Sequence, residues 1–225
     1  MYTIALGYDN DFKYLAYVAA ESIVAKSSIP LQFIFLNKNN MKSEYTRPRG
    51  EYDSTEFSNS RFATPYLSQY AGWTLFMDND VVVDCDIKEV FDFADDQYSV
   101  MCVQHNQVVD HDIKFLGHVQ TSYDRKNWSS VMLFNNAKCR DKLSIDYVNT
   151  APGLDLHQFK WCPDDEIGSI PLEYNYLVGN KNQTDLPPKI YHYTEGGPYF
   201  RDTKDCPFSS RWTDVYERFV LSHLT

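Results

Sequence analysis

No stretch of this chain approaches the roughly 20 consecutive apolar residues that a membrane-spanning helix requires. Its start, Met1-Tyr2-Thr3-Ile4-Ala5-Leu6-Gly7, has no basic leader, and its apolar run is too short for a signal peptide. A soluble, cytoplasmic protein with no integral membrane segment is therefore expected, and it would reach any lipid-linked acceptor from the cytosolic side. Cysteine is sparse: Cys85, Cys102, Cys139, Cys162 and Cys206 are odd in number and contain no Cys-x-x-Cys pair. That argues against a disulfide framework and for a reducing compartment. No His/Cys grouping has the spacing of a structural zinc site. Basic charge is also short, with 21 Lys+Arg against 31 Asp+Glu and a net charge of −10. Nucleic acid and anionic membrane are poor partners for such a chain. A phosphorylated ligand stays open, because a bound divalent cation reverses the local field. Internal repeats, low-complexity tracts and a composition break that would mark a second domain are all missing, and nothing indicates an oligomeric state.

What is present is enough apolar residue, 43% of 225, to bury one sizeable core. Tyr2–Leu6 and Leu31–Leu36 read as buried strands. Phe12–Lys26, with apolar residues at helical spacing and Asp11 as a candidate cap, reads as a helix between them. Lys38–Ser60 reads as a loop. Arg61–Tyr70 reads as a helix, with Pro65 tolerable in its first turn. Thr74–Met77 is an apolar strand running straight into Asp78. Further on, Tyr98–Gln104, Val131–Phe134 and Lys189–Tyr193 read as strands, Asn136–Val148 as helical in part, and Ser210–Leu224 as an amphipathic helix. Strand–helix–strand order predicts an α/β fold with a mainly parallel central sheet flanked by helices. Ligands of such sheets lie beyond the carboxyl ends of the strands. Gly7-Tyr8-Asp9 and Asp78-Asn79-Asp80 both fall there, so two polar clusters are expected to meet at one rim.

Asp78-Asn79-Asp80 interrupts a long apolar stretch, Thr74 to Val83. Ionised Asp is costly to bury unless it is paired or bound to metal. In extended geometry residues two apart face one side, so Asp78 and Asp80 are expected to converge on one hard cation, with Asn79 pointing away. Mg²⁺ or Mn²⁺ held by carboxylates and phosphate oxygens is the arrangement this suits. Taken alone, Asp-x-Asp is equally an ordinary strand-ending turn. Val82 and Val83 stand where an EF-hand needs a ligand and a glycine, which argues against a calcium loop.

In order along the chain, Leu6-Gly7-Tyr8-Asp9-Asn10-Asp11-Phe12, Tyr14-Leu15, Ala19-Ala20-Glu21-Ser22, Arg61, Phe76-Met77-Asp78-Asn79-Asp80-Val81, Ser129-Ser130-Val131-Met132-Leu133-Phe134-Asn135, Cys162-Pro163-Asp164-Asp165-Glu166-Ile167 and Ile190-Tyr191-His192-Tyr193 resemble the motifs of family 8 glycosyltransferases of the GT-A fold. The segments from Gln120 to Ser130 and from His192 to Pro198 resemble more closely a group of uncharacterised bacterial and phage glycosyltransferase-like proteins. The resemblance implies one GT-A domain over 1–225. Residues 1–95 would bind the nucleotide, and 96–225 would hold the donor sugar and the acceptor. It implies that Tyr8, Asp9 and Asp11 contact base and ribose, and that Asp78, Asp80 and His192 hold Mn²⁺ or Mg²⁺. Asp78 and Asn79 would lie at the nucleotide diphosphate, with Arg61, Gln120, Ser129 and Ser130 facing the donor sugar. Asp164 and Asp165 would stand near the anomeric carbon or the acceptor hydroxyl. The donor implied is a nucleotide sugar, UDP-linked, and the acceptor a carbohydrate or other hydroxyl.

Two departures stand out. Trp128-Ser129-Ser130 replaces the Asn-Ala-Gly common in the family, so sugar identity does not carry over. Gly196-Gly197-Pro198 stands where many members place a diphosphate-binding Lys; backbone N–H groups of Gly196 and Gly197 could cradle phosphate instead. The resemblance implies retention of configuration. Inversion would need a base among Asp164, Asp165 and Glu166, and both outcomes stay open. Gly196–Arg201 is a candidate lid. The rivals are a sugar-nucleotide nucleotidyltransferase, disfavoured by an acidic first turn with one Gly, and a non-catalytic carbohydrate- or nucleotide-binding domain.

Overall fold

The computed structural model describes residues 2–50, 53–106, 124–180 and 184–221. Its first strand, β1 (Tyr2–Gly7), is followed by α1 (Lys13–Val24) and β2 (Leu31–Leu36), and the two strands run parallel with Ile4 beside Phe33. α1 forms because Leu15, Ala16, Val18, Ala19, Ser22 and Ile23 fall on one buried stripe. Its cap differs from expectation. Phe12 occupies the cap position with no side-chain bond, and Asp11 does not cap. Asp9 organises the turn instead, its Oδ1 accepting the Asp11 N–H at 3.0 Å.

The expected helix after Arg61 divides into a 3₁₀ turn, Ser60–Ala63, and a short α2 (Thr64–Leu67) with Pro65 in its first turn. Gln69 and Tyr70, both with positive φ, end it. β3 (Trp73–Met77), β4 (Val81–Val83), α3 (Lys88–Phe91), β5 (Val100–Cys102) and β6 (Val131–Asn135) follow. Only part of Asn136–Val148 is helical: a 3₁₀ turn, Ala137–Cys139, precedes α4 (Ile145–Thr150), which Ser144 starts by accepting the Tyr147 N–H. Then come α5 (Gly153–His157), β7 (Ile167–Ser169), β8 (Tyr176–Leu177), β9 (Ile190–His192) and α6 (Ser209–Leu221).

The larger sheet has the order β2-β1-β3-β6-β5-β7, and only β6 runs against its neighbours. Both faces are buried, which is why its strands read as continuous apolar runs. Successive residues alternate between faces. Ala5, Phe76, Met132 and Phe134 pack on Phe57, Phe62 and Phe159, while Ile4, Leu6, Leu75, Met77 and Leu133 pack on Ile23 and Ile190. A second sheet, β4-β9-β8, sets Val81 opposite His192. Ser22 ties it to α1, accepting the Val83 N–H at 3.0 Å while donating to Ala19 O. The fold is a mixed α/β one with a mostly parallel central sheet flanked by helices, as the sequence predicts.

Candidate metal centre and nucleotide groove

β3 ends at Met77, and the chain bends through Asn79 and Asp80 before β4 begins. The bend has a cause on each side. Asp78 N–H donates to Ser130 O at 2.9 Å, at the start of β6, while Tyr193 N–H donates to Asp80 O at 3.0 Å, at the end of β9. One aspartate is thus tied to the large sheet and the other to the small one. Asp78 and Asp80 converge through this bend and not through an extended strand. Asn79 does not point away: it is buried and lines the same groove as Asp80.

The β4–β9 register brings His192 to this point from over a hundred residues away. Its Nε2 stands 3.2 Å from Asp80 Oδ1 and 3.8 Å from Asp78 Oδ2. One ligand atom from each of Asp78, Asp80 and His192 lies within 4.8 Å of the others. Arg61 Nη1 approaches Asp78 Oδ1 at 2.8 Å as an ion pair outside hydrogen-bond alignment, and the same nitrogen donates to Ser129 O at 2.9 Å. Arg61 Nε donates to Ser58 O, and the guanidinium packs against the rings of Phe57 and Phe76.

Burial raises the Asp78 carboxyl to about 6, with Arg61 pulling the other way. Burial acts on Asp80 in the same direction, but the charge and hydrogen bond of His192 outweigh it and hold Asp80 below its ordinary value. For His192, burial disfavours the charged ring, and Asp80 more than compensates and raises it. The group fits a divalent cation. It offers two carboxylates and one imidazole, a donor set suited to Mn²⁺ or Mg²⁺, and its buried Asp78 Oδ1 has no hydrogen-bond donor.

Beside the centre a groove is lined by Asp9, Phe12, Thr55, Asn79, Tyr199 and Phe200, among others. Asp9 is held rigidly by the backbone N–H groups of Asp11 and Glu56. Asn79 Nδ2 is buried with no hydrogen-bond partner. Tyr8 is buried edge-on to Tyr17 and Phe35, and Asp11 is exposed; neither is among the residues lining the groove. Gly196 adopts φ +97°, a conformation that favours glycine, and a Cβ on Gly197 would fall 2.3 Å from the Tyr199 ring. The two glycines thereby turn Tyr199 and Phe200 back over the groove, where Phe200 meets Phe12 edge-on. Gly196 N–H is already donated to Tyr193 O, which leaves Gly197 as the candidate phosphate donor of the pair.

The other predicted residues are distributed as follows. Ser129 and Ser130 are buried. Ser129 Oγ meets His157 Nδ1 at 2.8 Å, and Ser130 Oγ donates to Asn127 O at 2.7 Å. Asp164 and Asp165 are exposed in a 3₁₀ turn, and Asp164 pairs with Arg125 at 2.6 Å on the wall of a separate cleft of about 340 Å³. Glu166 is held by Lys142 and the Ser99 hydroxyl. Gln120 lies outside the described residues. Sequence reasoning missed Asn175, which is fully buried and joins His192 to Ser130. Its only sequence hint is a polar residue between two tyrosines.

No protein-family model matches the chain. Its sequence is 43% identical to Protein CDI of Arabidopsis thaliana over 97% of this chain and 87% of that one. Among solved structures it resembles the apo form of the bifunctional glycosyltransferase WbbM, with a TM-score of 0.69 at 15% identity over 96% of this chain and 49% of that one. It also resembles the glycosyltransferase GlyE of Streptococcus pneumoniae TIGR4, at 0.65 and 15% over 96% and 61%. The galactosyltransferase LgtC in complex with donor and acceptor sugar analogues matches at 0.65 and 14% over 96% and 95%. The chain thus spans about half of the WbbM structure and most of LgtC. At these identities the likeness is one of fold, and the fold is that of the GT-A glycosyltransferases.

Proposed function

The chain belongs to the family of Protein CDI, and from that premise and its GT-A fold we propose that it transfers a sugar from a nucleotide-sugar donor, UDP-linked, to a carbohydrate or other hydroxyl acceptor, with retention of configuration. The observation that carries the reading is the meeting of Asp78 and Asp80 with His192, from two distant places in the sequence, at one largely buried point. Held there, Mn²⁺ or Mg²⁺ would neutralise the charge that develops on a nucleoside diphosphate leaving group.

The chain's own groups supply the rest. Asp9, fixed by two backbone N–H groups, accepts from ribose hydroxyls or a base N–H in the groove, with Tyr8 and Asp11 contributing from either side of it in the chain. Asn79 offers a buried N–H₂ to the diphosphate; such a donor costs about 1–3 kcal/mol when unpaired, so an oxygen ligand is favoured there. Gly197 offers a backbone N–H close by. Phe12, Tyr199 and Phe200 exclude water from the groove. Arg61 acts mainly through Asp78, and the donor sugar lies along the segment of Ser129 and Ser130; Gln120, outside the described residues, is proposed to contact the same sugar. Asp164 and Asp165 serve at the acceptor side as orienting or charge-stabilising groups. Retention rests on the resemblance to family 8; of the three acids an inverting enzyme could use as base, Glu166 is held by Lys142 and the Ser99 hydroxyl. We propose further that 1–225 acts as one domain with a nucleotide half and a sugar half, that it works in the cytoplasm, and that nucleic acid is not a partner. No helix of the described residues is long and apolar enough to cross a membrane.

The test is turnover. Incubation with a panel of UDP- and GDP-sugars should give slow, Mn²⁺-dependent release of nucleoside diphosphate, quickest with a UDP-sugar and abolished by EDTA. Release of pyrophosphate from a nucleoside triphosphate and sugar phosphate would establish the nucleotidyltransferase reading instead. Nucleotide binding without any turnover would leave a binding domain.

A further inference from the structure

Asn175 ends the 3₁₀ turn Leu172–Asn175, next to β8, whose Leu177 lies beside His192 of β9. Its side chain has Oδ1 2.9 Å from His192 Nδ1, and Nδ2 2.8 Å from Ser130 Oγ and 3.5 Å from Asn127 O. Donor and acceptor roles follow by elimination. The Asn127 carbonyl can only accept, so Ser130, 2.7 Å away, donates its single proton there. With that proton committed, Ser130 Oγ must accept from Asn175, which therefore turns its NH₂ towards the serine. The amide oxygen then faces His192, and because it only accepts, Nδ1 carries the hydrogen. In the neutral ring this leaves the lone pair on Nε2, the atom that faces Asp80 and Asp78.

We infer that Asn175 is a positioning residue for the metal centre: it holds His192 in the Nδ1–H tautomer with the Nε2 lone pair aimed at Asp78 and Asp80, and Ser130 and Asn127 fix the amide that does so. This rests on reading Asp78, Asp80 and His192 as a cation site. Ser130 has a second hold on the same centre, since its carbonyl accepts the Asp78 N–H. One buried serine thus orients Asp78 through its backbone and His192 through Asn175. Asn127, with φ 65°, presents the carbonyl that anchors the chain of bonds. A ligating histidine whose other nitrogen is so held keeps its ring orientation without a search, which is what an outer hydrogen-bond partner contributes to metal affinity.

The test has two readouts. Long-range ¹H–¹⁵N spectra of ¹⁵N-histidine-labelled, metal-free protein at alkaline pH report the neutral tautomer directly; Mn²⁺ titration followed by EPR reports affinity. Wild type should show His192 as Nδ1–H. Asn175→Leu should shift it towards Nε2–H and weaken Mn²⁺ binding by roughly 10–100-fold. Asn175→Asp retains an acceptor for Nδ1 and should restore the tautomer and most of the affinity. An Nε2–H ring in wild type overturns the inference, even if the leucine variant fails to fold. So does an Asn175→Leu protein with unchanged tautomer and Mn²⁺ affinity. If wild type binds no Mn²⁺, the metal-centre reading falls, while the tautomer still decides the role of Asn175.

Discussion

Replacing Arg61 with methionine asks what carries the charge of Asp78 when no cation is bound. The Arg61 side chain is 7% exposed, pairs with Asp78 and donates to the carbonyls of Ser58 and Ser129. Methionine keeps much of the packing between Phe57 and Phe76, so the loss is mainly polar. Two buried carbonyls lose a charged donor, which costs about 2–4 kcal/mol at any pH. A second cost appears only where Asp78 is ionised. Its carboxyl is raised by burial from 3.8 to about 6, with Arg61 the largest opposing influence, so removing Arg61 moves it higher still. An acid whose folded pKa is raised loses stability as pH climbs from the unfolded value to the folded one, and no further. In wild type that decline ends near pH 6. In the variant it continues at about 1.4 kcal/mol per pH unit. The gap between the two proteins should therefore widen above pH 6 and approach about 2–3 kcal/mol more at pH 8, an upper figure because the Asp78 side chain keeps 15% exposure. Urea denaturation followed by circular dichroism in EDTA, at pH 5, 6.5 and 8, measures it. A destabilisation equal at all three pH values would refute the pairing as the support of Asp78.

Asp80→Ala should leave the protein folded but abolish Mn²⁺-dependent nucleotide binding; calorimetry giving unchanged affinity would reduce the motif to a turn. Burial, with the charge of His192 adding, pushes buried His105 down to about 3 from 6.5, so it folds neutral. Its contribution is complete above pH 6.5 and drains as pH falls, by about 2 kcal/mol at pH 5. His105→Leu should flatten that acid slope in urea titrations, and parallel slopes would count against it. Gly197→Ala places a methyl 2.3 Å from the Tyr199 ring and must displace it. Nucleoside diphosphate affinity should fall about tenfold, a loss of about 1.4 kcal/mol, and a variant that binds as well as wild type would remove Tyr199 from the groove wall.

Elements with strong periodicity or uninterrupted apolar runs were legible from sequence: β1, α1, β2, β3, β6, β9 and α6 stand where the pattern puts them, within a few residues. Short elements outside an apolar run were not, because a strand such as β7, Ile-Gly-Ser, and a five-residue helix such as α5 offer too few positions for a period to show. The acidic motif was legible as chemistry but not as geometry. Its bend arises from hydrogen bonds to Ser130 and Tyr193, partners that only the sheets bring near. The Arg61–Asp78 ion pair and the Asn175–His192 bond are long-range for the same reason. The mis-assigned cap of α1 has a local cause: Asp9, not Asp11, had the backbone donors within reach.

The central claim is that Asp78, Asp80 and His192 bind a cation that in turn holds a nucleoside diphosphate in the groove of Asp9 and Asn79. Calorimetric titration of UDP into the protein with Mn²⁺ and with EDTA tests it most directly, with Asp80→Ala as the control. Binding in Mn²⁺, lost in EDTA and lost in the variant, is the predicted result; UDP binding that is absent in Mn²⁺, or equal with and without the metal, would contradict it.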